Sequence, residues 1–176
     1  SLRGLSRAVG CSHVKLYRYF SNKHELLVAV RARAFQRYVG FMQKRLEGVD
    51  ESLARIRLLG MGYIDYSMKH ETEFRLMFTY PMPGMLLTDD GETTMEAWHP
   101  SIRGAWEFLR FEIEEAVEAG ALYGEPLMIA NVMWAGMHGV ATLSLTGKLV
   151  AGASREPLAA AMIDALLSAY MSEGQV

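Results

Sequence analysis

Two stretches near the C-terminal end limit most strongly what this chain can fold into: Pro126 to Gly147 and Pro157 to about Met171 are apolar around most of their circumference. The first carries Leu127, Val132, Met133, Met137, Val140, Leu143 and Leu145, and the second Leu158, Ala161, Met162, Ala165, Leu166 and Ala169. Each opens on a proline suited to the first turn of a helix, and a helix apolar nearly all round has to be covered on both sides. The remaining helices are too few to supply that cover. A second copy of the same pair is therefore expected against it, a four-helix homodimer interface formed by 126–147 and 157–171. By length alone 126–147 reaches across a bilayer, but Asn131, His138, Thr142, Ser144 and Thr146 suit a helix buried in protein better than one in lipid.

The residues between 50 and 120 follow the same period. Asp50 is expected to cap a helix to about Lys69 with Leu53, Ile56, Leu59, Gly60, Tyr63, Ile64 and Ser67 inward, and Gly60 and Gly62 point to a close approach by another helix or a ligand. Thr72 to Phe78 is expected as a short helix. Pro81-Met82-Pro83-Gly84 then breaks the pattern, and 85–94 is expected as a mobile loop. A further helix runs from Pro100 to about Ala119, with Ile102, Ala105, Trp106, Leu109, Ile113, Ala116 and Val117 inward, and ends at Gly120. No segment reads as a strand, a repeat or a low-complexity tract, so the fold class expected is all-α.

Charge divides the chain. Net charge is only −2, yet residues 1–45 hold ten Lys and Arg against one acid, Glu25, while 46–176 hold eight against nineteen. A +9 segment joined to a −11 one points to a polyanion as partner of the first. Within it, Leu2, Leu5 and Val9 share a helical face, Gly10-Cys11-Ser12 stops that helix, and Ser12 to Phe20 forms the next. Val14, Leu16 and Phe20 are expected inward, with His13, Lys15, Arg18 and Tyr19 outward. This is a helix-turn-helix outline, and its second helix carries groups suited to base edges and phosphates. Two such helices cannot bury their own apolar face, so a further helix ahead of Leu2 is expected. Ser21 or Asn22 caps a long helix to about Leu46, on the order of 37 Å at 1.5 Å per residue, which links the basic segment to the acidic one. The single cysteine, Cys11, excludes an intrachain disulfide, and with no secretory signal a reducing cytoplasm is the expected home.

The run Val9-Gly10-Cys11-Ser12-His13-Val14-Lys15-Leu16-Tyr17-Arg18-Tyr19-Phe20-Ser21-Asn22-Lys23-His24-Glu25-Leu26-Leu27, with its Leu-Tyr-x-x-Phe-x-x-Lys-x-x-Leu spacing, resembles the headpiece of TetR (tetracycline-repressor-like) transcriptional regulators. Trp134-Ala135-Gly136-Met137-His138-Gly139, with Phe74-Arg75-Leu76-Met77-Phe78, resembles the ligand-binding half of the subgroup named for its Trp, His and Gly. The resemblance implies a DNA-binding headpiece at 1–46 and an effector-binding and dimerisation domain at 50–176. It also implies DNA contacts from Arg3, Ser12, His13, Lys15, Tyr17, Arg18, Tyr19 and Lys23. Of these, Tyr17, Tyr19 and Lys23 stand where phosphate or groove is touched, and Arg3, His13, Lys15 and Arg18 where bases are read.

The function expected is a repressor that binds a palindromic operator as a dimer and is released by a small apolar or aromatic effector. The effector wall is expected from Tyr63, Tyr66, Phe74, Met77, Phe78, Trp98, Trp106, Phe111 and Met133, with His138 as a polar contact, although an aromatic or Met at helical spacing is more often plain core. An enzyme is disfavoured: the five histidines show no metal-ligand spacing, no Gly-rich phosphate loop follows a strand, and no catalytic residue, metal or cofactor is expected. A helical carrier or interaction module without DNA binding fits the C-terminal half equally well, and the +9 segment alone separates it from a regulator.

Overall fold

The structure, a computed structural model, describes residues 2–78, 100–150 and 154–171, the side chain of His13 excepted. These residues form eight helices and no strand: α1 Leu2–Ala8, α2 His13–Tyr19, α3 Lys23–Leu46, α4 Ser52–Lys69, α5 Glu71–Phe78, α6 Pro100–Glu118, α7 Pro126–Leu145 and α8 Arg155–Ser168. The protein is all-α, a helix-turn-helix followed by a helical body. The expected break at Pro81 to Gly84 and the expected loop 85–94 lie outside the described residues.

Local capping chemistry sets the boundaries. Ser12 caps α2 by accepting from the Val14 amide. Asn22 caps α3 by accepting from the Glu25 amide at 2.9 Å, while the Glu25 carboxylate accepts from the Ser21 amide at 2.7 Å, so two orphan amides are satisfied reciprocally. The cap of α4 is Glu51, not Asp50: its carboxylate accepts from the amides of Leu53 and Ala54. A carboxylate at a helix N-terminus also gains from the helix dipole, which lets Glu stand in for a shorter cap residue. The last helix ends three residues before the expected Met171.

α4 is the central element, packed on α3, α5, α6, α7 and α8. Ile56, Leu59, Gly60, Gly62, Tyr63, Ile64, Tyr66 and Ser67 are buried accordingly. Close helix approach accounts for the two glycines: a Cβ on Gly60 would lie 2.5 Å from Ile163 Cδ1, and one on Gly62 would lie 2.9 Å from Met42 Sδ. α7, long and apolar enough by composition to cross a membrane, packs here on α4, α6 and α8. Its Leu127, Met128 and Leu143 stay exposed. So do Ala161, Ala165 and Ala169 on or just after α8.

The headpiece packs more loosely than expected. Leu2 is buried, but Leu5 is 39%, Val9 61% and Val14 66% exposed. Val14 thus stands outward, while Leu16 and Phe20 are only partly covered. A seven-residue helix beside another of the same length has too little surface to bury every apolar side chain.

Charged side chains tie the body together in places the apolar pattern could not show. Arg31, 1% exposed, donates from Nε to the Leu76 carbonyl at 2.7 Å, joining α3 to α5. Arg37 grips Glu73 with two bonds of 3.1 and 2.8 Å, and Tyr66 donates to the same carboxylate at 2.8 Å. Arg75 reaches the Leu145 carbonyl at the end of α7. Glu112, 2% exposed on α6, accepts from Arg55 Nε at 2.6 Å, and Arg55 also donates to the Val49 carbonyl.

Both carboxylates give stability tests. Arg55→Met leaves the Glu112 carboxylate buried without a counter-charge and should cost about 3–5 kcal/mol in urea denaturation. The double variant with Glu112→Leu should recover most of that loss. Glu73 is pushed up by burial, but the bonds from Arg37 and Tyr66 outweigh this and hold it below its ordinary 4.5. A carboxylate depressed in the fold stabilises it above the unfolded value and loses that contribution as pH falls through the folded value. Glu73→Gln should therefore cost about 1 kcal/mol at neutral pH, given a half-exposed Arg37 partner. The gap between variant and wild type should narrow as pH falls below 4.5.

Candidate functional site

Two groups of residues stand out, one in the headpiece and one in the body. At the headpiece, the outer surface of α2 presents Lys15, Tyr17, Arg18 and Tyr19, with Arg3 exposed on α1 and Lys23 exposed in the first turn of α3. Tyr17 is 50% and Tyr19 59% exposed. The Arg18 guanidinium lies over the Tyr19 ring, 5.1 Å from its centroid, and donates to the Tyr19 hydroxyl at 3.1 Å. Such stacking is worth roughly 0.5–1 kcal/mol at an exposed site, little enough for Arg18 to exchange it for a bidentate partner. Hydrogen bonds from Ser21 hold Glu25 below the usual carboxylate range, so the one acid of this segment is engaged at the α3 cap. Of the expected DNA-contact residues, Ser12 is engaged by its own helix and the side chain of His13 lies outside the described ones.

At the body end, α4, α5 and α7 assemble a continuous aromatic cluster. Tyr63 packs edge-on against Phe74 at 5.3 Å and lies 5.6 Å from Phe78. Phe74 stacks on His138 at 5.9 Å, Phe78 lies 6.4 Å from Trp134, and Trp134 meets Trp106 of α6 at 5.6 Å. The fully buried Tyr63 hydroxyl and His138 Nδ1 are 2.9 Å apart. Burial pushes the Tyr63 phenol well above its ordinary value, with a hydrogen bond from Trp134 acting the other way. Burial likewise holds His138 below its ordinary 6.5, so the imidazole is neutral at pH 7. Beside the cluster lies an open cavity of about 390 Å³, lined among the described residues by Asn131, Val132, Trp134, Ala135 and His138, all of α7.

Of the expected effector wall, Tyr63, Phe74, Phe78, Trp106 and His138 come together. Met77 and Met133 are buried in the general core. Tyr66 faces the other way, toward Tyr38, Phe41 and His70, and gives its hydroxyl to Glu73. Phe111 is 53% exposed on α6, away from the cluster, because its neighbour Glu112 takes the inward position to meet Arg55. Trp98 lies outside the described residues. Trp134 is a member that the expected wall lacks, although it sits four residues before His138, one turn away on the same face of α7. Phe35 and Tyr38 also touch the cluster from α3, at 5.5 Å from Phe78 and 6.1 Å from Tyr63.

A comparison with curated protein sequences gives no match. Among solved structures, a protein of unknown function from Rhodococcus sp. RHA1 is 25% identical, with a TM-score of 0.77 over 98% of this chain and 85% of its own. A TetR family transcription regulator from Marinobacter aquaeolei VT8 is 13% identical, with a TM-score of 0.73 over 98% of this chain and 85% of its own. The TetR family transcriptional regulator PfmR from Thermus thermophilus is 19% identical, with a TM-score of 0.61 over 96% and 87%. Residues 56–166, which include the whole aromatic cluster of α4, α5, α6 and α7, match the tetracyclin repressor-like, C-terminal domain family. The chain therefore belongs to the tetracycline-repressor-like family and has the fold of its DNA-binding transcriptional regulators.

Proposed function

We propose that this protein is a ligand-responsive repressor that binds a palindromic operator as a homodimer and is released by a small apolar effector. The observation that carries the reading is the exposure of Tyr17 and Tyr19 beside Lys15 and Arg18, in a chain that buries Tyr63 and Tyr66 almost completely. Exposed aromatics interleaved with cations on one short helix suit a major groove and its phosphates. Arg3, Lys15 and Arg18 are assigned to base edges together with His13, and Tyr17, Tyr19, Lys23 and the Ser12 turn to the backbone. Residues 1–46 then form the DNA-binding part and 50–176 the effector-binding and dimerisation part. The protein acts in the cytoplasm, where a bacterial regulator meets its operator, and the activity is not enzymatic.

The effector is assigned to the cavity beside Tyr63, Phe74, Phe78, Trp106, Trp134 and His138, whose described lining carries no Lys, Arg, Asp or Glu. α5 supports a physical route from there to the DNA. Phe74 and Phe78 face the cluster, while Leu76 and Glu73 of the same short helix are held by Arg31 and Arg37 of α3. An effector that shifts α5 moves α3, whose first turn carries Lys23. The two headpieces must meet major grooves about 34 Å apart, so a small change at α3 spoils the fit. Repression is relieved by the effector's differential affinity for the two spacings and by no more than that. The exposed Leu127, Met128 and Leu143 of α7, with Ala161, Ala165 and Ala169, support a second copy as their cover.

The test is fluorescence anisotropy on a labelled palindromic fragment from next to the protein's own gene. Log affinity is expected to fall with log salt at about −0.9 per phosphate contacted. A flat response, or equal affinity for scrambled DNA, would favour a carrier that does not read DNA. Arg18→Ala should cost roughly 1–3 kcal/mol at one base position, and Lys23→Ala should weaken all sequences alike. Identical profiles for the two variants would sink the division into readers and anchors.

A further inference from the structure

The polar contact in the cavity has a sign that the bonds around it fix. Tyr63 is 2% exposed, so its hydroxyl proton must find an acceptor or carry the cost of a buried unpaired donor. Its neighbour Trp134 can only donate. The acceptor within reach is His138 Nδ1 at 2.9 Å. A neutral imidazole that accepts at Nδ1 carries its own proton on Nε2. No described residue hydrogen-bonds to that nitrogen, and His138 is part of the cavity lining. Asn131, the other polar lining residue, is exposed and gives one amide hydrogen to the Leu127 carbonyl at 2.8 Å.

The geometry points to a cavity where His138 Nε2 offers a neutral N–H donor beside Trp134, Val132 and Ala135, and hence to an effector that is an uncharged, largely aromatic molecule bearing a carbonyl oxygen. This rests on the effector site assigned above and specifies its ligand. An ammonium group, which can only donate, meets a nitrogen already protonated. A carboxylate would give up its hydration for a single neutral donor, with no lysine or arginine in the described lining to offset the loss. A ketone, ester, amide or quinone carbonyl loses little on leaving water and accepts the bond on offer. Phe74 stacked on the imidazole ring and Trp134 beside it hold the N–H in one plane, so the bond also orients the ligand.

The test is isothermal titration calorimetry of the full chain with four probes of one size: 2-acetylnaphthalene, 2-ethylnaphthalene, 2-naphthoate and 2-naphthylmethylammonium. The acetyl compound should bind about two- to tenfold more tightly than the ethyl one, the yield of one neutral hydrogen bond, and both ions more weakly than either. In His138→Leu the acetyl-to-ethyl ratio should fall to about one. Nitrogen-15 NMR of the imidazole in the unliganded wild-type chain at pH 7 supplies a readout that survives misfolding of that variant, and should show His138 neutral with the proton on Nε2. Ethyl binding equal to or tighter than acetyl, naphthoate binding tightest, or a proton on Nδ1 would overturn the donor assignment while leaving the cavity as the effector site. If none of the four binds, the site assignment falls, and the ligand class falls with it.

Discussion

The contact between the Tyr63 hydroxyl and His138 Nδ1 is where the body's organisation converges. Tyr63 stands on the central helix α4, and its ring touches Tyr38 of α3 and Phe74 and Phe78 of α5 while its oxygen reaches α7. A phenol in that position has to place its proton inside an otherwise apolar cluster, and among the described residues His138 Nδ1 is the acceptor near enough. The bond therefore fixes more than two side chains. It joins α4 to α7, and the same face of α7 carries Trp134, one turn before His138, against Phe78 and Trp106.

Around that centre, α5 is bound by groups of a different kind. Eight residues cannot hold a helix in place by burial alone, and only Phe74 and Met77 of α5 are buried. The rest of its anchorage is polar: Arg31 on the Leu76 carbonyl, Arg37 and Tyr66 on Glu73, and Arg75 on the Leu145 carbonyl. Bonds of this type are directional and few, so they permit a small number of arrangements. A tightly packed apolar interface resists displacement everywhere equally. A short helix hung from a few polar points can instead move as a unit, carrying α3 with it. That makes α5 the part of the body best suited to a two-state response.

Much of this is legible in the sequence, and the limits are physical. Capping residues and periodicity locate the helices because both act over three or four residues, and the Leu16-Tyr17 to Leu26 spacing with Trp134 and His138 indicates the family. Sequence alone puts the start of the 50–69 helix at Asp50 because a short side chain is the commoner cap, whereas Glu51 reaches two amides in the fold. Phe111 reads as wall because an aromatic on a helix near Trp106 and Leu109 looks inward, but the buried charge at Glu112 turns that part of α6 the other way. Arg31 and Glu112 carry no local signal. A charged residue is assigned outward by any pattern rule, and only a partner from elsewhere in the chain, the Leu76 carbonyl or Arg55, makes burial tolerable.

The energies also divide the work between selectivity and switching. Moving a two-state equilibrium from 1:99 to 99:1 takes about 5.5 kcal/mol of differential affinity, and a single neutral hydrogen bond at His138 yields about 0.5–1.5 kcal/mol. That bond can choose among ligands of similar shape but cannot by itself drive the protein between conformations. The remainder, on the order of 4 kcal/mol, corresponds to roughly 160 Å² of apolar surface buried in one state and exposed in the other. On the proposed reading the rings of Phe74 and Phe78 supply it, since both sit on the body helix with the fewest buried apolar side chains and both face the cluster. On that same reading His138 then selects which molecule is bound, and the aromatic face of α5 sets what binding does.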